Sequence, residues 1–365
     1  MKLKNLILKN YRNCLNLDLD FNHDKVLIIG KNAQGKTNIL ESIYFLSSLK
    51  SPRTSTNTEL INFNSDNVEV YADIEKADTN IDLRFLYDRE KTRELHVNGL
   101  KTTPKNFKQV LKTVLFSTSD LLLLRGNPSD RRDWLDRAIT QIYPAYDDRL
   151  SKYEKIRIQK NNLLKNENID RNLLSVYNEQ LAVTGSNIIF LRLKFLKEIE
   201  RIASEKHRSI SENEVLKISY DCPFIKGDED IETILKLFSE SLAQRTDEEI
   251  RRGQSCVGPH RDDIVFYIND NEATKFASQG QQRTVVLSLK LAELDIISEK
   301  TGENPILLLD DVLAELDDIR QNYLLKSINT DIQTIITSVD TLLFDEDFLK
   351  TVKIYKIENG RIVQD

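Results

Sequence analysis

The sequence predicts an α/β protein whose core is split by a helical insertion. Three observations lead there. A glycine-bearing loop, GKNAQGKT at Gly30 to Thr37, lies between an apolar run, KVLIIG, and a helical pattern, TNILESIY. A second apolar run, ILLLDD, ends in Asp310 and Asp311, about 270 residues beyond Lys36. Between the two, from 118 to 249, strand signals give way to long helical patterns rich in Leu, Lys, Glu, Asn and Arg.

Taken in order, LKNLILKNYRN, LNLDLDF, KVLIIG, VEVYADIE, IDLRFLYD and ELHVNG alternate apolar and polar residues or are β-rich, and they read as strands. Asn98-Gly99 is a two-residue hairpin turn. One helix interrupts them and places Ile39, Leu40, Ile43 and Leu46 on one face. DDRLSKYEKIRIQKNNLLKN and the long segment from SVYNEQ to ASEKH read as two helices packed antiparallel around NENIDRN. LKISYD, DDIVFYIND, ILLLDD, TIITS and VKIYKIENGRIV restore strand character. Among them SQGQQRTVVLSLKLAELDIISEKTG is a helix with apolar Val286, Leu289, Leu291 and Leu294 and a C-terminal Gly302. The expected division is 1–117, 118–249 and 250–365.

A chain of 365 residues makes two domains, or one with a large insertion, and buries a substantial core. Hydrophobic residues at 40% and charged residues at 30% exclude a disordered chain. No apolar run reaches membrane-spanning length, and MKLKNLILKNYRN has no signal-peptide core, so the expectation is a cytoplasmic protein with no membrane partner. Cys14, Cys222 and Cys256 match no metal or redox spacing. His23, His96, His207 and His260 are scattered, which argues against a transition-metal site. The net charge of −6 excludes a uniformly basic coat but leaves room for a local patch, for which Arg125 to Arg137, Arg245, Arg251, Arg252 and Arg261 are candidates.

G-x-x-x-x-G-K-[ST] is a phosphate cradle. Gly30 and Gly35 let the backbone of Lys31, Asn32, Ala33 and Gln34 wrap a phosphate chain, and the next helix points its N-terminus at the negative charge. Lys36 reaches the β- and γ-phosphates, and the Thr37 hydroxyl holds Mg²⁺. A buried parallel strand ending in Asp310 places that acid beside the cradle, where it holds the same Mg²⁺ through water. Asp311 points elsewhere and can orient or deprotonate the attacking water. Ser278-Gln279-Gly280-Gln281-Gln282 presents a hydroxyl, amides and a helix start to an anion; its ordinary alternative is an N-cap formed by Ser278.

These motifs together resemble the ABC-type ATPases of the SMC and Rad50 class, and most closely the RecF family of recombination mediators. NYRN at 10–13, GKNAQGKTN at 30–38, RRDWLD at 131–136, GPHRDD at 258–263, ASQGQQRTVVLSLKLAE at 277–293 and LLLDDVLAELD at 307–317 occur in the family's order. The resemblance implies an ABC-type ATPase head of mixed β-sheets and helices: an N-terminal lobe with the P-loop, the insertion, and a C-terminal lobe with the signature, Walker B and D-loop motifs. It implies an ATP-dependent homodimer in which Ser278 and Gly280 meet the γ-phosphate held by the other copy, with Asp317 at the shared interface. Arg12 and Asn13 match the position from which the class reaches the nucleotide from its first strands.

The activity implied is DNA repair: binding of DNA, single-stranded and double-stranded, at gapped junctions, and work with RecO and RecR to help RecA replace single-strand binding protein, with slow DNA-dependent ATP hydrolysis. Ser117-Thr118-Ser119-Asp120 stands where relatives have S-P-E-D, and Ser338-Val339-Asp340 stands where transporters have a switch His. Asp311 is shorter than the Glu of fast ABC enzymes, which leaves a non-hydrolysing ATP-gated DNA clamp as an alternative. A transporter ATPase subunit fits less well. Arg131 and Arg132 either touch DNA or pair with Asp133 and Asp136, and His260 is either structural or functional.

Overall fold

The computed structural model of the chain describes residues 1–77, 79–211, 213–328 and 331–363. They fall into two compact units, Met1–Leu121 with Glu293–Asp365, and Leu122–Ala292.

The first unit contains, in chain order, β1 (Lys2–Tyr11), β2 (Cys14–Asp20), β3 (Lys25–Ile29), α1 (Lys36–Ser48), β4 (Asn67–Lys76), β5 (Thr79–Asp88), β6 (Arg93–Val97), β7 (Leu100–Lys101), α2 (Pro104–Val110) and β8 (Thr113–Ser117). Strands β2-β1-β4-β5-β6-β7 form an antiparallel sheet. Its strands alternate as the sequence does: Val68, Val70, Ala72 and Ile74 are buried while their neighbours are not. Asn98 and Gly99 both have positive φ and join β6 to β7 by the expected two-residue turn.

The second unit holds α3 (Pro128–Ile142), α4 (Pro144–Leu164), α5 (Arg171–Ile210), β9 (Leu216–Asp221), α6 (Ile231–Arg252), β10 (Asp263–Ile268), β11 (Asn271–Glu272) and α7 (Ala273–Phe276). Helix α8 (Gln279–Thr301) begins in this unit and ends in the first. The chain then completes the first unit with β12 (Ile306–Asp310), α9 (Asp318–Ser327), β13 (Thr334–Ser338), α10 (Glu346–Thr351), β14 (Lys353–Glu358) and β15 (Arg361–Val363).

Strands β15-β14-β3-β13-β12-β8 form the first unit's other sheet, parallel except for the terminal hairpin. Its central strands are buried on both faces, as parallel strands covered on both sides must be: Ile306 to Leu309 are apolar, and Thr334 to Ser338 are buried with them. Helix α1 contacts strands of both sheets. The sequence assigns it one apolar face, yet Glu41, Ser42, Tyr44 and Phe45 are buried along with Ile39, Leu40, Ile43 and Leu46, because a sheet covers each side. The Phe45 ring meets Phe85 edge-on at 4.7 Å. Each such large apolar side chain contributes about 1.5–3 kcal/mol. Buried Gln333 accepts from the Leu3 N–H at 2.7 Å and donates to the carbonyls of Leu3, Phe21 and His23, tying the start of β1 to the edge of β13.

The segment 250–292, expected in the C-terminal lobe, clusters instead with the helical unit. Strand pairing explains this: β10 lies antiparallel to β9, so its ladder partner belongs to the insertion. β8 is a further strand that composition did not single out, and its register with β12 makes it the sheet's edge.

Within the helical unit α5 packs on α4, α6 and β9. Asp170 and Asp230 cap α5 and α6 through the first-turn N–H groups. Lys160 of α4 and Glu249 of α6 form an ion pair at 2.6 Å with both side chains fully buried, and burial holds the Lys160 amine below its ordinary value. Glu249 also accepts from the Cys256 N–H at 2.9 Å. Removing one partner strands a charge, which typically costs about 3–5 kcal/mol. Glu249→Leu is therefore expected to lower the unfolding free energy by about that amount in denaturant titration, and Lys160→Met/Glu249→Leu is expected to recover more than half of it. Equal loss in the single and double variants would refute the role of the stranded charge.

Candidate nucleotide-binding site

The P-loop leaves β3 and enters α1. Ala33 and Gly35 take positive φ, at 64° and 112°. Gly30 has no room for a side chain, since a Cβ there would lie 2.4 Å from the Ile357 carbonyl oxygen. A Cβ on Gly35 would lie 2.8 Å from Asn13 Oδ1. The loop is braced from below by the turn between β14 and β15: the Asn359 N–H donates to Gln34 Oε1 at 2.6 Å and the Gly360 N–H to the Gln34 carbonyl at 2.8 Å. These contacts fold the backbone into a concave cradle opening on a cleft of about 760 Å³.

Lys36, with only 4% of its side chain exposed, donates from Nζ to the Gly30 carbonyl at 2.8 Å and lies 3.6 Å from Asp311 Oδ2. Thr37 Oγ1 donates to Asp310 Oδ1 at 3.0 Å, joining the start of α1 to the end of β12. Thr337, opposite Asp310 in the β12–β13 register, donates to the same oxygen at 3.0 Å, and its hydroxyl accepts from the Asp311 N–H at 2.9 Å. Burial raises the Asp310 carboxyl above its ordinary value, with the two threonine hydroxyls working against that shift. Asp311 follows at φ 51°, a backbone turn that separates the two adjacent acids.

This donor set suits Mg²⁺. One hydroxyl and one carboxylate converge, and no cluster of three or more acids, histidines or cysteines among the described residues makes a cage for a metal alone. Mg²⁺ keeps several waters and takes phosphate oxygens, so Thr37 and Asp310 would hold it together with a nucleotide. When bound, the ion would neutralise charge developing between the β- and γ-phosphates.

Arg12 and Asn13 lie on the same cleft. Arg12, at φ 49°, donates from Nε and NH2 to the two oxygens of buried Glu41 at 2.5 and 2.6 Å. Asn13 accepts from Asn38 Nδ2 at 2.7 Å. Glu41, Thr337 and Asn359 are supporting residues that sequence reasoning missed. The signal for Thr337 was its place near the end of TIITS, beside the acid-bearing strand.

Ser278 lies in the other compact unit and N-caps α8. Its hydroxyl accepts from the Gln281 N–H at 3.2 Å, and Gln281 Oε1 accepts from the Ser278 N–H at 2.8 Å, a reciprocal capping box. Gln281 Nε2 also donates to Glu214 at 2.8 Å. Ser278 and Gln279 are exposed, and the N–H groups of Gln279 and Gly280 have no partner among the described residues. The ordinary alternative, a cap, is thus met by the same geometry that leaves a helix start open to an anion. Asp317 caps α9.

Arg131 and Arg132 pair with neither Asp133 nor Asp136. Arg131 is buried and holds Asp263 through Nε and NH2 at 2.8 and 2.7 Å, and Arg132 donates to the Asp262 carbonyl at 2.7 Å. Asp136 is held instead by Arg192, at 2.9 Å through two nitrogens. RRDWLD and GPHRDD are therefore stitched to each other inside the helical unit.

A carboxyl whose folded pKa lies above its unfolded value stabilises the fold only while protonated, and that contribution is lost as pH rises through the folded value. Asp310 is such a group. In nucleotide-free, Mg²⁺-free protein, Asp310→Asn is expected to raise the thermal midpoint at pH 7, with the gain shrinking in acid. Its amide oxygen still accepts from Thr37 and Thr337. A lower midpoint at pH 7 would sink this account.

The comparisons with known proteins agree with this geometry. The family model described as the RecF/RecN/SMC N-terminal domain matches residues 2–363. The DNA replication and repair protein RecF of Streptococcus gordonii is 43% identical, covering 99% of this chain and all of its own. That of Bacillus velezensis is 39% identical, covering all of both. A solved structure described as the recombination mediator protein RecF with ATP in the RecFOR pathway superposes with a TM-score of 0.92 at 34% identity, over 99% of this chain and 97% of the other. An Smc head bound to a winged-helix domain of ScpA has a TM-score of 0.57 at 15% identity over 100% and 98%, and shares the fold. No described helix is long and apolar enough to cross a membrane. With its mixed α/β ATPase-head fold and full-length relatives of that kind, the chain belongs to the RecF family of DNA replication and repair proteins.

Proposed function

We propose that the chain is an ATP-dependent DNA-binding protein that dimerises on ATP, binds gapped junctions and, with RecO and RecR, helps load RecA. The observation that carries this is the meeting of Lys36, Thr37 and Asp310 on one cleft while the other half of an ABC site, the open helix start at Ser278 to Gln281, sits in the other compact unit. A relative solved with ATP and described as part of the RecFOR pathway supports both the nucleotide and the pathway. Two chains supply two composite sites, so ATP favours the dimer by linkage.

In the bound state Lys36 Nζ leaves the Gly30 carbonyl for the β- and γ-phosphates, and the cradle N–H groups hold their oxygens. Thr37 and Asp310 would hold Mg²⁺. Asp311 accepts a hydrogen bond from the attacking water and takes its proton as the water oxygen bonds the γ-phosphorus and the bond to the β–γ bridging oxygen breaks, leaving ADP. Ser278 and the N–H groups of Gln279 and Gly280, from the second copy, close over the γ-phosphate with Gln281 fixing the helix start. Hydrolysis removes that bridge and releases the dimer. A short Asp311 in place of Glu fits slow turnover, and the second reading, an ATP-gated clamp with no turnover, keeps every other role.

The test measures dimerisation by light scattering and ATP turnover, with and without gapped DNA. Lys36→Arg is expected to weaken nucleotide binding and turnover. Asp311→Asn is expected to dimerise with ATP but stay locked, its turnover slowed on the order of 10²-fold. Ser278→Arg is expected to bind ATP and remain monomeric; normal dimerisation of this variant would refute the sandwich. DNA affinity is expected to fall steeply as salt rises, and DNA that leaves turnover unchanged would count against DNA-dependent hydrolysis.

A further inference from the structure

RRDWLD and GPHRDD, which the nucleotide site leaves unused, meet at a cleft of about 420 Å³ within the Leu122–Ala292 unit. Four guanidinium groups line it, those of Arg132, Arg157, Arg192 and Arg261. Two are consumed. Arg192 is paired with Asp136, and Arg157 is paired with Glu154 at 2.8 and 2.5 Å. The other two are not. Arg132 donates to the Asp262 carbonyl at 2.7 Å and Arg261 to the Ser255 carbonyl at 3.2 Å; neither forms a direct ion pair with a carboxylate among the described residues. Arg132 does act on the Asp262 carboxyl at longer range: burial raises that group's pKa, and the charge of Arg132 is among the influences that lower it. A carbonyl occupies one of five guanidinium N–H donors and cancels no charge.

His260 sits beside them, its Nδ1 2.8 Å from the Tyr153 hydroxyl and its Nε2 3.4 Å from the Ser255 carbonyl. Burial, followed by the charges of Arg157, Arg261 and Arg132, lowers its pKa to about 3, so at neutral pH the imidazole adds no charge. One lining carboxylate, Asp133, is unpaired, but it is exposed at the rim and free to turn to solvent. Arg132 is half-buried and Arg261 exposed, and the two cations on one cleft repel each other. An oxyanion between them removes that cost, and the planar fork of arginine matches phosphate geometry.

We propose that this cleft is a phosphate-binding site that takes a backbone phosphate of a nucleic-acid strand through Arg132 and Arg261. The nucleic-acid source rests on the DNA-binding function proposed above; the phosphate site itself does not.

His260 is one of four histidines, so its imidazole is a resolvable NMR probe in the full chain. Inorganic phosphate is expected to shift its resonances saturably and to raise its pKa, because an adjacent anion favours imidazolium. Arg132→Gln and Arg261→Gln are each expected to weaken the phosphate midpoint on the order of tenfold, and Asp133→Asn to tighten it, all with ATP affinity unchanged. A short single-stranded phosphodiester oligonucleotide is expected to compete with phosphate at His260. No saturable response, or one unchanged in both arginine variants, overturns the site. Phosphate bound but not displaced by the oligonucleotide overturns the nucleic-acid assignment. Failure of every sample to bind ATP would refute the ATPase reading while leaving the His260 readout decisive here.

Discussion

The hydrogen bond from Thr37 to Asp310 is the contact on which the rest of the nucleotide site depends. It joins residues 273 positions apart and fixes α1 against the end of β12. A bond of this kind, to a largely buried carboxylate, holds only if the acid cannot drift. Thr337 supplies that restraint by donating to the same oxygen and accepting from the next backbone N–H. The parallel register that sets Asp310 opposite Thr337 is thus as much a part of the site as the acid. Because β12 is apolar on both faces from Ile306 to Leu309, a one-residue slip of that strand would keep its core face apolar while removing Asp310 from Thr37 and Thr337.

The same sandwich explains how Arg12 is presented. A helix covered by one sheet would turn Glu41 to water. Covered by two, α1 buries it, and a buried carboxylate requires a partner. Arg12 answers from the first hairpin, with its backbone in a left-handed conformation that brings the guanidinium over α1. Asn13 next to it then packs against the glycine of the P-loop. Glu41 orders Arg12, and Asn38 of the same helix orders Asn13, so α1 fixes both residues through which the antiparallel sheet reaches the cleft.

Local chemistry made the cradle legible: a strand, a glycine loop and a helix start are contiguous in sequence, and Asp310 ends a run too apolar to be anything but covered. The α4–α5 helix pair and the hairpin turns were legible for the same reason, since period and turn residues are local signals. What escaped depends on distant partners. β8 owes its strand to the ladder with β12. The boundary near 250 failed because β10 pairs with β9, across an intervening helix. Arg131 and Arg132 were weighed against the acids nearest in sequence, whereas their acceptors lie in GPHRDD. Glu41 carried no signal, because a polar residue on a helix gives no hint of a second sheet above it.

The contacts of Lys36 also bear on how the proposed site would be switched. Its ammonium donates to the Gly30 carbonyl at 2.8 Å and stands 3.6 Å from Asp311 Oδ2. While it does so, the acid assigned to the attacking water is engaged with a cation. A phosphate chain in the cradle competes for that lysine on favourable terms, because it brings more negative charge than one carboxylate to a nearly dry ammonium. On the proposed reading, entry of a nucleotide would release Asp311 in the same movement that recruits Lys36, so that loading and arming the site would be one event.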